Sequence, residues 1–476
     1  MSDEKNEDTT GFIEDAHMEN QNNHPPEDTR EVSSASYNIL FKNDDDLMIK
    51  ESQSDEEPRV SFFGIFSDSK FSAIINLTTS AIGAGCLNFP IILINIGLPL
   101  TTIIFLFVSI CVYYSVDLLR SFVVDTKFFS FALMTNEILG KNWLVIYVIC
   151  SLAFYLSVEI NYLSIIYTVI SKTIGFSGKN EIFINIIYFI ITILIEIFIC
   201  SYISKIRKIH LFSLISSLLF IIILLVIVIQ GSINISGKLD NDFLNPSINN
   251  KKEYILELMS FIIEILYGYC YHSSYPTLLS NLKHVDDENT KTVHIISFIF
   301  ISISYLLITF FGFFLKIPMS DILFIKNTTS NHNTTFIIIF RIIICLFLFS
   351  VVPLRFVVLR DNYSSLINKY KKIAFIPDLI AVSICLIFCN LVVYLTNESI
   401  ISFNIALNFI QIFGGIFGVI ISFVLPVINY IGANGKRKIK SIFGIILSII
   451  FIIIGILSVS YSIYGLKIKN EYKNEQ

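Results

Sequence analysis

From about Phe71 onward the chain is a succession of apolar runs, each about 20 residues or longer, separated by short polar interruptions. The runs fall near residues 71–97, 99–121, 142–170, 182–203, 209–230, 254–280, 293–315, 335–358, 374–395, 403–430 and 441–465. The first two are parted only by 97-GLP-99, a tight turn. This pattern predicts an all-α membrane protein with about 11 transmembrane helices. Composition agrees. Of 476 residues, 54% are hydrophobic and only 15% charged, too few charges to clothe a water-facing surface.

Residues 1–66 differ in kind. They carry the acidic runs 43-NDDD-46 and 54-SDEEP-58, have few aromatics and show no periodicity. They are expected to form a disordered acidic cytoplasmic tail, followed by a transmembrane domain over 67–476. Ser33, Ser34, Ser52 and Ser54 are either phosphorylation sites or part of a plain solvated linker, and 60-VSFFGIF-66 is expected to lie on the membrane surface. The first apolar run then serves as an uncleaved signal anchor.

With the tail in the cytoplasm, the inside loops hold the clusters 205-KIRK-208, 369-KYKK-372 and 436-KRKIK-440, as the positive-inside rule requires. Sequons at Asn234, Asn327, Asn333 and Asn397 fall on the opposite side, marking a glycoprotein; those at Asn76 and Asn362 do not fit that side. Trp143 reads as an interfacial anchor. Eight cysteines all lie in apolar runs without CxxC or Cys/His spacing, so neither disulfides nor a metal site is expected. Nucleotide-binding loops, hydrolase elbows and nucleic-acid patches are absent from the sequence, so an enzyme is not expected, nor any cofactor beyond H+ or Na+ as a coupling ion.

Two places break this regularity. The first span contains 79-TSAIGAGCLNFP-90, and the sixth ends in 268-GYCYHSSYP-276. In hydrocarbon every backbone N–H and C=O needs a partner, so helix breakers at such depth carry a cost. Spans one and six run in opposite senses. Matched breaks there mark a 5+5 inverted repeat plus one extra helix, with the first repeat about 71–230, the second about 254–430 and the extra helix about 441–465. A close helix contact explains Gly-x-Gly alone; the matched second break favours a small-molecule carrier. Amides around Ile82, Gly83, Ala84 and Gly85 suit a carboxylate. Carbonyls and the hydroxyls of Thr78, Thr79, Ser80, Ser273 and Ser274 suit an ammonium group or a cation. A zwitterionic amino acid fits both.

At these residues the chain resembles the amino acid/auxin permease family. The resemblance runs from 75-INLTTSAIGAGCLNFP-90 through 97-GLP-99, 128-FFSFALMTNEILGK-141, 267-YGYCYHSSYPTLLSNL-282, 305-YLLITFFGFFLK-316 and 353-PLRFVVLR-360. It implies the leucine-transporter type of fold, with helices 1 and 6 interrupted, and secondary active transport of amino acids coupled to a cation gradient. Thr79 stands where sodium-coupled relatives often carry Asn, and only Ser350 precedes Pro353 closely, which favours a proton, or no coupling ion, over sodium. An amino acid sensor signalling through the tail, or a channel, are the competing readings.

Tyr269, Tyr271 and Tyr275 either line the pocket or pack. His272 binds substrate, bears a proton, or caps the broken helix. Charged groups at membrane depth usually have a role, and Glu159, Glu196, Glu264 and Arg341 lie within spans. Glu264 and Glu159, with Thr78 and Ser350, are the ion-coupling candidates; an ion pair of Arg341 with either glutamate is the structural alternative. The expected partners are an amino acid and the bilayer, not nucleic acid, in the plasma membrane or a vacuolar or lysosomal membrane. An odd span count places a tag at Gln476 opposite the cytoplasm: protease in sealed cells should remove it from surface-expressed protein, and a tag reached only after permeabilisation contradicts the count.

Overall fold

The computed structural model describes residues 70–174, 209–235, 251–280, 284–315, 334–366, 413–434 and 439–474, with a few single positions between them. Spans 182–203 and 374–395 lie mostly outside the described residues, as does the acidic tail. What is described is helical throughout. Helix α1 covers Lys70–Ala81 and continues, after a break, as a 3-10 turn Ala84–Asn88 and helix α2, Phe89–Ile96. Then come α3 Leu98–Thr126, α4 Phe131–Leu139, α5 Lys141–Ile174 and α6 Ile209–Asn234. Helices α7 Lys251–Gly268 and α8 Tyr275–Leu279 flank the second break. They are followed by α9 Asp287–Phe313, α10 Thr334–Leu366, a π-helical stretch from Gly414 to Val424 leading into α11 Leu425–Asn434, and α12 Ile439–Asn474.

Seven helices among the described residues are long and apolar enough to cross a membrane. The interrupted pairs are not among them: the halves of the first span have 12 and 8 residues, and in the sixth one half has 5 while the 18-residue half carries Lys251, Lys252, Glu253, Glu257 and Glu264. The punctuation follows from sequence. Gly97, at φ 86°, occupies the left-handed region that only glycine enters freely, and Pro99 then opens α3 without needing an amide partner. Ser130 caps α4 and Asp286 caps α9 through side-chain oxygens.

The burial pattern identifies the solvent. On α3 the residues Ile103, Leu106, Phe107 and Ile110 form one helical stripe and are 47–66% exposed. Matching stripes run along α9 (Ile296, Ile299, Phe300, Ile303) and α12 (Ile442, Phe443, Ile446, Ile449, Ile453). Inside, by contrast, lie Asn76, Thr79, Glu159, Asn161, Glu264, His272, His294 and Arg355, all buried. Apolar residues outward and polar residues inward is the arrangement a bilayer stabilises and water does not.

Packing centres on the breaks. Helix α9 lies against α1, the 3-10 turn, α2, α3 and α6, while α5 and α10 pair on another side and also reach the first span. The π-helical stretch packs on α12 through facing glycines: a Cβ on Gly455 would overlap the carbonyl oxygen of Gly415. Gly455→Ala is therefore expected to lower stability by about 1–3 kcal/mol, the usual cost of overpacking, read as a fall in the unfolding temperature of the detergent-solubilised protein. An unchanged temperature contradicts this contact.

Candidate functional site

The first break follows from close approach. Helix α1 ends with the amide of Ile82 bonded to Thr78 O at 2.9 Å, and Gly83 then turns extended at φ −151°. A Cβ on Gly83 would overlap the Tyr162 hydroxyl and come within 2.8 Å of Arg355 Nη2, so only glycine fits. Two residues on, a Cβ on Gly85 would lie 3.7 Å from Gly268 Cα, so the backbones of the two breaks touch.

The freed carbonyls are accounted for one by one. A helix leaves its last four carbonyls without intrahelical partners. At the end of α7, Ile265 O and Leu266 O accept from the Tyr269 amide, and Tyr267 O accepts from Cys270. The fourth, Gly268 O, lies 2.8 Å from the Tyr305 hydroxyl, and that same hydroxyl lies 2.9 Å from Ala81 O, the last carbonyl of α1. One phenol on α9 thus stands between the ends of both broken helices. Phe89 packs edge-on against its ring, with centroids 5.4 Å apart. Cys86 Sγ donates to Gly83 O at 3.0 Å, and Ser274 Oγ reaches Ser80 Oγ at 3.2 Å, tying α1 to the segment between α7 and α8.

A charge sits beside this junction. Arg355 of α10 is buried, donates through Nη2 to Tyr162 Oη at 2.6 Å and stacks its guanidinium 5.0 Å from that ring's centroid. Tyr155, Tyr267 and Glu159 lie within its electrostatic reach. Burying a guanidinium costs several kcal/mol; the tyrosine bond, the cation–π contact and the glutamate's field offset part of that. Its Nε has no hydrogen-bond partner among the described residues.

The candidate residues divide into groups. Gly83, Gly85 and the backbone of Ala84 form the first break, with Ile82 buried at its edge. His272 and Tyr271 are buried in the second, where the His272 ring nitrogens and the Tyr271 hydroxyl have no hydrogen-bond partner among the described residues. Ser273 lies beside the Tyr155 hydroxyl. Thr79 instead turns to α6, bonding Ser217 Oγ at 2.6 Å and its own helix at Ile75 O at 2.8 Å. Tyr269 turns to α3 and α9, through Ser109 at 3.0 Å and Ser302 at 2.8 Å. Ser350 bonds back to Phe347 O of its own helix. Thr78, Glu159 and Glu264 are buried in the bundle, Glu159 on the helix that carries Tyr162.

Sequence reasoning did not single out Arg355, Tyr162 or Tyr305. Arg355 stands in a helix that runs on to Leu366, which places it at depth rather than at a helix end.

Two interrupted helices joined back to back inside a lipid-facing bundle define a membrane transport fold. The family model for "Transmembrane amino acid transporter protein" matches residues 67–468, and the chain belongs to that family. It is 26% identical over 222 residues to the amino acid transporter AVT6E of Arabidopsis thaliana, a match spanning 45% of each chain. In structure it is similar to a manganese transporter of Eremococcus coleocola in complex with an aromatic bis-isothiourea substituted compound, at TM-score 0.54 and 11% identity, covering 86% of this chain and 89% of that one. A histidine-to-alanine variant of the same transporter matches at TM-score 0.51 and 12% identity, with the same coverage.

Tyr305→Phe removes the one hydroxyl between two buried carbonyls. An unfolding free energy lower by about 1–3 kcal/mol is expected, measured by thermal or chemical denaturation in detergent. A variant as stable as the parent shows that the carbonyls find other partners.

Proposed function

We propose that this protein is a secondary active carrier that moves amino acids across a membrane by alternating access around the two breaks, driven by a proton gradient. The observation that carries the reading is the junction itself: Gly83–Gly85 against Gly268, with the Arg355 guanidinium at its side. Amides at the start of the 3-10 turn have no intrahelical partners and point positive dipole ends at a carboxylate. Arg355 adds a full charge to that end. The ammonium end meets the hydroxyls and carbonyls of Tyr271–Ser274.

Proton rather than sodium coupling is favoured by where the hydroxyls go. Thr79 is engaged with α6 and Ser350 with its own helix turn, so neither hydroxyl is hydrogen-bonded to a group of the junction. A guanidinium beside the first break also disfavours a second fixed cation there, since like charges repel strongly in low dielectric. The family and the similar manganese transporter fold support transport as the class of activity. The N-terminal side is read as cytoplasmic from its loop charges.

Radiolabelled amino acid uptake into proteoliposomes, with pH and sodium gradients imposed separately, tests this reading. Uptake driven by the pH gradient alone is expected; uptake that requires sodium, or tight binding without flux, overturns it. Arg355→Gln should weaken amino acid binding by roughly 10–100-fold, the worth of a charged hydrogen bond, in an equilibrium binding assay on the purified protein. Unaltered affinity removes Arg355 from the site.

A further inference from the structure

Beside the junction lies a second polar cluster, which begins at His272 in the broken segment and extends away from the substrate's place. His272, in the break between α7 and α8, is fully buried, and His294 of α9 is 1% exposed. Neither imidazole makes a hydrogen bond of normal geometry among the described residues, although the backbone of Tyr113 lies close to His294. Aromatic rings link the two. Tyr271 lies 5.9 Å from His272 and 6.2 Å from Tyr275, which lies 5.8 Å from His294; His294 itself stacks on Tyr113 at 4.7 Å. The histidines also feel one another electrostatically.

The cluster leads to the end of the bundle where α3 finishes and α9 begins. Asp117 and Arg120, one and two turns beyond Tyr113 on α3, act on His294 through space. Arg120 is buried and forked between Asp117, at 2.9 Å, and Asp287 on the first turn of α9, at 2.6 Å. His294 stands about 10 Å along α9 from Asp287. The titratable and charged groups around the pair are therefore Tyr113, Asp117 and Arg120 from α3, Tyr271 and Tyr275 from the broken segment, and Asp287 from α9.

We propose that His272 and His294 form one proton-binding site that couples amino acid binding at the break to the gradient, a role that rests on the transport reading above. Two imidazolium charges joined through only two tyrosine rings would repel strongly in low dielectric, so the proposed site holds a single proton. The proton comes from water admitted when Arg120 releases Asp287. A bare nitrogen of His294 takes it and becomes imidazolium. It then passes to His272 by a relay in which the Tyr275 and Tyr271 hydroxyls, whose rings link the two histidines, each accept one proton and give up another, as His294 returns to neutral; it leaves to water when the break opens to the opposite face. Asp117 supplies the negative charge that stabilises the imidazolium, and Arg120 opposes it while the ion pair is closed. Unlike Glu264, His272 sits in the break itself, where a gained charge is felt by the substrate's ends.

Proteoliposomes with the membrane potential clamped at zero provide the test. One proton per amino acid converts each pH unit into about tenfold accumulation of a zwitterion. The parent protein should show this. His294→Gln should show none, while still exchanging labelled for unlabelled amino acid, a readout that a misfolded protein lacks. A His294→Gln variant that accumulates as the parent does overturns the proposal but leaves the carrier reading standing. So does loss of pH-driven accumulation in Glu264→Gln with its retention in His294→Gln. A parent that exchanges but ignores the pH gradient overturns proton coupling and this proposal together. If His294→Gln does not fold, Asp117→Asn serves instead. Losing that negative charge should move the pH midpoint of uptake to lower pH, and an unmoved midpoint overturns the assignment.

Discussion

A carbonyl that ends a helix inside hydrocarbon must find a donor, and here one tyrosine hydroxyl serves two of them. Tyr305 stands between Ala81 O and Gly268 O at 2.9 and 2.8 Å. A single O–H proton can be given fully to only one acceptor at a time, so the two broken ends are held by a shared and easily redistributed bond. That is a suitable property for a junction that must change shape. The remaining carbonyls at the end of α7 are met locally by turn amides, so the interruption costs less than its position suggests.

The rest of the site follows from this junction. Bringing the breaks together requires glycine at 83, where a Cβ would overlap the Tyr162 hydroxyl, and leaves little room at 268 beside Phe89, while a Cβ at 85 would make only ordinary contact with Tyr267. The same closeness sets Arg355 against the first break and the two histidines below the second. Charge is thereby sorted: a permanent cation beside the amides of the first span, and titratable groups beside the second and toward Arg120 and its two aspartates. The surrounding helices shield this polar interior and turn faces of Ile, Leu and Phe outward.

Much of this was legible in the amino acids. Glycine and proline inside apolar runs are costly in a membrane, so the breaks at 82–83 and 269–274 showed themselves by local rules alone. Fold class was legible for the same reason. Direction was not: Thr79 and Tyr269 lie on the broken spans but point to α6 and to α3 and α9, and nothing in their neighbours in sequence reveals that. Tyr305 was invisible as a clamp because its partners are 224 and 37 residues away. Arg355 was within reach, since it follows Pro353 in the family-like segment 353-PLRFVVLR-360, but its depth depends on how far α10 extends.

The most direct measurement is an experimental structure of the purified protein in a bilayer mimic with an amino acid bound. The account requires ligand density in the junction, its carboxylate within hydrogen-bonding distance of the Gly83–Gly85 amides and the Arg355 guanidinium. Continuous helix through Gly83 or through Tyr269–Ser274, or an amino acid lodged away from both, would contradict it.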